Sequence, residues 1–290
     1  MIEEILKTFS GKSVTVFGGT GSIGNIIVDY LRKFNPKVIR IFSNDENSLW
    51  ESQQKWGDDD DMRYLLGDIR NYSRVKRALK GIDYVFNCAA IKHVPFAEYN
   101  PLEAVNVNII GLDNIINASV ECNIKKLLHI STDKAVEPST VMGATKLIGE
   151  RLFQMRWTQN PTLKMMIVRF GNVYGSRGSI ILIIREQKKK CLPITITDLN
   201  MTRYFMQKKE VIDLIITAFM NGKEGEIWVP KLKLKLLSEV IKKEVGENYP
   251  FEIIGVRKAE KLSEKLLFDH EILEVIDNGK YWIIPNEYKK

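Results

Sequence analysis

Positions 131–146 read Ser-Thr-Asp-Lys-Ala-Val-Glu-Pro-Ser-Thr-Val-Met-Gly-Ala-Thr-Lys. The hydroxyl of Thr132, the carboxyl of Asp133 and the amine of Lys134 stand side by side, just past an apolar run. An acid beside a base can move two protons on one substrate, if burial or nearby charge sets the right protonation states. Lys146 follows on a predicted helix, with Met142 one turn earlier on the same face. The plainer alternatives are a solvated turn pair for Asp133 and Lys134, and a surface residue for Lys146.

A second constellation lies near the N-terminus. Gly18-Gly19-Thr20-Gly21-Ser22-Ile23-Gly24 follows one apolar run and opens a helix. Glycines at 18, 21 and 24 allow a tight turn, close backbone approach to a pyrophosphate and close helix–strand packing. Free N–H groups and the positive end of the helix dipole then face the phosphates. The strand–turn–helix setting makes Gly18, Thr20, Gly21, Ser22, Ile23 and Gly24 a dinucleotide cradle. The second strand ends in Ser43-Asn44-Asp45. An acid at that strand end suits a ribose 2′-hydroxyl and an arginine a 2′-phosphate; Asn44 is neither. These residues leave the choice between NADP and NAD open, with NADP carried forward as the expectation. Asp68 and Ile69 end the third strand, where Asp68 meets the adenine edge or caps the next helix. Ala89 and Ala90 leave room for the cofactor backbone. Cys88 reads as a packed small residue.

Such groups need a frame. Apolar runs at 14–17, 38–42, 64–66, 84–86, 127–130 and 165–168 alternate with helix-length segments at 24–34, 101–121 and 141–158. That rhythm predicts an α/β fold: a doubly wound parallel Rossmann sheet with helices on both faces. Ligands of such sheets bind beyond the carboxyl ends of the strands, where the polar and glycine-rich stretches fall. After Gly175 the rhythm loosens. Strands are expected at 194–197, 227–229 and 251–254, and helices at 209–220 and 236–245. The expected division is a dinucleotide-binding domain over 1–174, with 205–224 packing back onto it. Residues 175–204 and 225–290 would form a smaller, partly interleaved substrate-binding subdomain.

Composition narrows the function classes. With 44% apolar and 27% charged residues, the chain of 290 residues can bury a large core and is not a disordered tail. The 180–184 aliphatic run is too short to span a bilayer, so no membrane insertion is expected. The N-terminus lacks the basic start and apolar centre of a signal peptide. Cys88, Cys122 and Cys191 are scattered, which suggests neither disulfides nor a metal site and fits a reducing cytoplasm. The net charge of +7 is spread in short lysine clusters, which suits anionic small molecules better than nucleic acid.

Several blocks in order carry a resemblance. They are Ala89-Ala90-Ile91-Lys92-His93-Val94-Pro95, Glu98-Tyr99-Asn100-Pro101, Ser131-Thr132-Asp133-Lys134-Ala135 and Gly143-Ala144-Thr145-Lys146. They continue with Arg169-Phe170-Gly171-Asn172-Val173, Ser176-Arg177-Gly178-Ser179, Met201-Thr202-Arg203-Tyr204 and Glu260-Lys261-Leu262. From about Ser13 to Pro285 the chain resembles the UDP-N-acetylglucosamine 4,6-dehydratases, extended short-chain dehydrogenases that feed capsule and flagellin-glycan synthesis. The resemblance implies a bound nicotinamide cofactor that oxidises sugar C4 and later returns hydride to C6. It implies Lys134 as the base at C5, Asp133 as the acid for the departing C6 hydroxyl, and Thr132 on the C4 oxygen. Lys146 would hold the cofactor ribose and lend positive charge. It also implies a lid for UDP, whose diphosphate asks for guanidinium groups at Arg203 and Arg257, then Arg177. Lys92, His93 and Asn172 would approach the substrate; His93 could equally be structural and Asn172 a turn residue. A homo-oligomer is implied as well.

Departures matter. Met142 stands where short-chain dehydrogenases carry a tyrosine, and it cannot ionise. The C4 base would then be Lys134, relaying through Thr132 or water. Arg257-Lys258-Ala259-Glu260-Lys261 drifts from the family's Arg-Pro-Gly-Glu-Lys. The soluble, C5-inverting type is the expected one. A UDP-sugar 4-epimerase of the same superfamily is the first alternative; it needs no acid–base pair at C5 and C6. A non-catalytic nucleotide-binding regulator, resting on Met142, is the second.

Overall fold

Strand β1 (Ser13–Phe17) is buried along its whole length, as a parallel strand covered on both faces must be. Its residues alternate between two cores: Val14 and Val16 enter one, Phe17 the other. The computed structural model describes residues 2–256 and 259–289. Helix α1 (Ile2–Phe9) precedes β1, and α2 (Ser22–Leu31) follows it. Next come β2 (Val38–Ser43), α3 (Glu46–Trp56), β3 (Met62–Leu66), α4 (Tyr72–Leu79) and β4 (Tyr84–Asn87). The short helices α5 (Val94–Tyr99) and α6 (Pro101–Val105) lead to α7 (Gly111–Glu121), β5 (Lys126–Ile130), α8 (Val141–Gln159) and β6 (Lys164–Val168).

The second part holds β7 (Asn172–Val173), α9 (Ile180–Lys189), β8 (Ile194–Ile196), β9 (Thr202–Met206), α10 (Lys208–Asn221) and β10 (Glu226–Pro230). It ends with β11 (Leu234–Leu236), α11 (Leu237–Val245), β12 (Phe251–Ile253), α12 (Glu271–Glu274), β13 (Ile276–Asp277) and β14 (Tyr281–Ile284). Among the described residues the main sheet has nine strands in the order β13-β14-β10-β6-β5-β4-β1-β2-β3. From β10 to β3 all neighbours are parallel; β14 and β13 add antiparallel. This is the doubly wound Rossmann sheet that the strand–helix rhythm predicts.

Two small sheets, β11-β9-β7 and β12-β8, make the lid. Their apolar residues meet α9 and α11 in a separate core of Ile181, Ile184, Ile194, Ile196, Leu237 and Ile241. The 225–290 stretch, expected in the lid as a block, is divided. Its strands β10, β14 and β13 extend the large sheet, because the apolar faces of β10 and β14 pack into the main cores. The single helix expected over 101–121 is interrupted by a π-turn at Asn106–Ile110. There the Asn108 side chain turns inward to bond Ile91 N–H (2.8 Å) and Ile91 C=O (3.0 Å). No helix among the described residues is long and apolar enough to cross a membrane.

Candidate active site

A cleft of about 1090 Å³ runs across the carboxyl ends of the strands and under the lid. Its left wall is the glycine turn. Gly18 has φ +67°, and a Cβ there would lie 2.7 Å from the Ala89 nitrogen. A Cβ on Gly24 would lie 2.4 Å from the Gly18 carbonyl oxygen. Gly21 caps α2 without any side-chain bond, so the first N–H groups of the helix are left for a ligand. Asn25, which sequence reasoning missed, donates to the Gly19, Thr20 and Gly21 carbonyls (3.3, 3.0 and 3.2 Å). Thr20 donates to Ser43 (3.0 Å), tying the turn to the end of β2. The glycine-only approach and the uncapped helix start fit a dinucleotide pyrophosphate. Thr20, Gly21, Ser22, Ile23, Ser43, Asn44, Asp68, Ile69, Ala89 and Ala90 all line this side.

The end of β2 carries an informative pair. Asp45 is the N-cap of α3: its carboxylate accepts from Ser48 N–H (3.2 Å) and Ser48 Oγ (2.6 Å). Those bonds hold the Asp45 carboxyl below its usual range. Above it lies Arg177, which the sequence assigned to the substrate. Its N–H donates to Ser22 Oγ (2.8 Å), its guanidinium reaches Ser48 Oγ (3.3 Å), and Glu51 is 3.5 Å away. The structure therefore places Arg177 beside the start of α2 and the start of α3. Asp68 does not cap α4, a role taken by Asn71; it is held by Arg70 (2.7 Å), which also pairs with Glu103.

The right wall holds the chemistry segment. Beyond β5 the chain makes a single 3-10 turn at Asp133–Ala135 with Thr132 as its cap. Asp133 is fully buried. Its Oδ1 accepts from Thr132 Oγ1 (2.9 Å) and Lys134 Nζ (3.0 Å), and its Oδ2 is buried without a hydrogen-bond partner. Lys134 Nζ also reaches Asn172 Oδ1 (3.4 Å) and lies 3.8 Å from Glu264. Thr132, Lys134, Asn172 and Glu264 line the cleft, whereas Asp133 lies beneath it. Glu264 is a second site carboxylate that no sequence motif marks. Met142 packs with Ala97 and Ala104 and still lines the cleft. Lys146 is buried and donates to the Ile130 carbonyl (2.5 Å). Burial pushes its amine down to about 8.

Behind this wall lies a buried ion network. Arg169 bonds Glu150 (2.7 Å) and Glu271 (2.7 Å), and Glu150 accepts from Ser131 Oγ (2.5 Å). Burial opposes the Arg169 charge, but Glu150 and Glu271 outweigh it and push its pKa up. In the lid, Arg203 donates to the carbonyls of Thr202 (2.8 Å), Leu262 (3.0 Å) and Lys261 (2.9 Å) and lines the cleft. His93 lies against Gly178, and Lys92 donates to the Arg177 carbonyl, so both residues brace the same loop. Burial, with Lys92 adding, holds the His93 imidazole below its usual range. Arg257 lies outside the described residues.

Comparison with known proteins adds relatives. The family described as "Polysaccharide biosynthesis protein" matches residues 14–286. A Methanocaldococcus jannaschii protein, described as an uncharacterized membrane protein, is 42% identical over 94% of this chain and 85% of its own length. A Rickettsia akari protein named UDP-glucose 4-epimerase is 35% identical over 96% of this chain and 84% of its own. Among solved structures, Pen from Bacillus thuringiensis is 41% identical, with a TM-score of 0.92 over 97% of this chain and 89% of its own.

Proposed function

The chain belongs to the polysaccharide biosynthesis protein family, and from that premise we propose that it is a nucleotide-sugar-modifying enzyme working at C4 of a UDP-sugar. The finer reading is a UDP-N-acetylglucosamine 4,6-dehydratase with C5 inversion, serving surface glycan synthesis in the cytoplasm. One observation carries it: Thr132, Asp133, Lys134 and Asn172 form a single hydrogen-bonded cluster on the cleft wall. A 4-epimerase has no use for an acid–base pair at C5 and C6.

When bound, the nicotinamide cofactor supplies hydride acceptance at C4 and hydride return. The protein's own residues do the rest. Thr132 Oγ1 holds the C4 oxygen. Lys134 takes the C5 proton, which the C4 ketone has made acidic. Asp133 reaches the cleft only through Thr132 and Lys134, so acid help at C6 passes through one of them. Lys146 holds the ribose hydroxyls, and Lys92, His93, Arg203 and Arg257 complete the substrate side. NADP is the proposed cofactor. Support comes from Arg177, whose guanidinium reaches Ser48 in the first turn of α3, and from Asp45, whose carboxylate is already spent on the α3 cap. A homo-oligomer is part of the same proposal, supported by exposed Phe96, Tyr99 and Leu102 on α5 and α6.

A second reading, UDP-glucose 4-epimerase, is favoured by the name of the Rickettsia akari relative. Both readings share the oxidation at C4 and differ afterwards. Purified protein incubated in deuterated water with UDP-N-acetylglucosamine or UDP-glucose, followed by NMR, separates them. The dehydratase yields a 4-keto-6-deoxy sugar with deuterium at C5. Interconversion of gluco and galacto sugars without deuterium uptake would replace it with the epimerase.

A further inference from the structure

A line of buried groups runs behind the cleft wall from the end of β4 to α8. Ala89 N–H donates to Asn87 Oδ1 (3.1 Å). Asn87 Nδ2 faces His129 Nδ1 at 3.1 Å. His129 Nε2 lies 3.1 Å from Lys146 Nζ, which also donates to the Ile130 carbonyl. Asn87, His129 and Lys146 are 1%, 2% and 5% exposed, so each polar atom must be satisfied by its neighbours.

Donors and acceptors can be assigned in order. The Ala89 N–H claims the Asn87 oxygen, which turns the amide NH2 toward His129. A donor facing Nδ1 requires a lone pair there, and a neutral imidazole then carries its proton on Nε2. That N–H points at Lys146 Nζ. An ammonium has no lone pair to accept it, whereas a neutral amine accepts it and still donates to Ile130. We propose that Asn87 and His129 are positioning residues that fix the Nε2–H tautomer and thereby favour the neutral amine of Lys146 at mildly alkaline pH.

The surroundings agree. Burial pushes His129 well below its usual range, so the ring is neutral. Two other groups act on Lys146: Glu150 from α8 and Cys88 from the loop after β4, both favouring the ammonium. Glu150 is taken up by Arg169 and Ser131, and burial pushes the Cys88 thiol up to about 12, leaving it uncharged. The consequence rests on the reading that this site oxidises a sugar hydroxyl. The nicotinamide cofactor is the oxidant, and the hydroxyl proton needs a separate acceptor. Met142 offers none. A neutral Lys146 takes that proton once its lone pair turns from His129 toward the cleft; the ammonium gives up the His129 contact, keeps its bond to the Ile130 carbonyl, and leaves Lys134 free for the C5 proton.

The test uses the whole protein with ring-15N histidine. The chain has only three histidines, so His129 is assignable. At mildly alkaline pH, long-range 1H–15N spectra should show His129 with Nδ1 bare and Nε2 protonated; an Nδ1–H ring overturns the proposal whatever the protein's activity. Asn87→Asp supplies the second arm. Its carboxylate still accepts from Ala89 N–H and now accepts from Nδ1–H, so the ring proton moves and Nε2 accepts from an ammonium. The acid limb of turnover should then shift to higher pH by about one unit. A moved ring proton with an unmoved limb also overturns it. The wild-type spectrum decides even if the variant does not fold. Absence of turnover with any UDP-sugar would sink the functional reading and leave the tautomer assignment standing on its own test.

Discussion

At the scale of single residues, Lys134 is the most exposed assignment. Its amine donates to Asp133 and Asn172, and its backbone N–H donates to Thr132 Oγ1. Lys134→Ala should lower turnover by about 100- to 10,000-fold while the purified protein keeps its nicotinamide, read by product NMR and by absorbance of released cofactor. Near-normal turnover would end its role as base. Arg177→Ala should weaken NADP binding by about tenfold and leave NAD binding unchanged, as titration of cofactor-stripped protein would show. Equal loss for both dinucleotides would remove the 2′-phosphate role. Part of this was legible in the sequence. Glycines 18, 21 and 24 are dictated by local sterics, and local sterics survive in a linear motif. Thr132, Asp133 and Lys134 are neighbours in the chain, so their meeting needed no fold. That Asp133 faces inward could not be read, since one 3-10 turn decides it. The contact of Arg177 with Ser22 could not be read, because the two are 155 residues apart.

At the scale of elements, the segment 176–179 is a strap from the lid to the cradle. Arg177 ties it to Ser22, and Lys92 ties it from below. Gly178 makes the crossing possible: its φ is +67°, and a Cβ there would meet the His93 ring at 2.2 Å. Gly178→Ala should therefore lift the strap and speed cofactor release by about tenfold, measured by displacement with excess nucleotide. An unchanged release rate would show that the strap does not retain the cofactor. The π-turn at Asn106–Ile110 is a second device of this kind. Periodicity predicts a continuous helix there, because one inserted residue leaves the apolar pattern on either side intact. What forces the bulge is Asn108 bonding Ile91 across the cleft floor, a contact between distant segments.

At the scale of the whole molecule, a buried ion network fastens α8 and the C-terminal segment to the main sheet. Arg169 at the end of β6 is fully buried and bonds Glu150 on α8 and Glu271 on α12. Removing one partner leaves a buried guanidinium half-paired. Glu271→Gln should cost about 3 kcal/mol in denaturant unfolding. A loss under about 1 kcal/mol would mean the network relaxes or hydrates. The parallel sheet itself was legible from the strand–helix rhythm, but the return of β13 and β14 to its edge was not. Those strands carry no turn signal that ties them to β10, and only the packing of Tyr281 and Ile284 into the main cores selects that edge.

The strap runs directly into α9 of the lid. On the proposed reading, a dinucleotide bound beneath it would exchange only when that crossing opens. The cofactor would then behave as a captured part rather than a traded reagent. The fraction of chains able to work would be decided when each one closes over an oxidised nucleotide, and catalysis would be insulated from later swings in the cell's nicotinamide redox ratio.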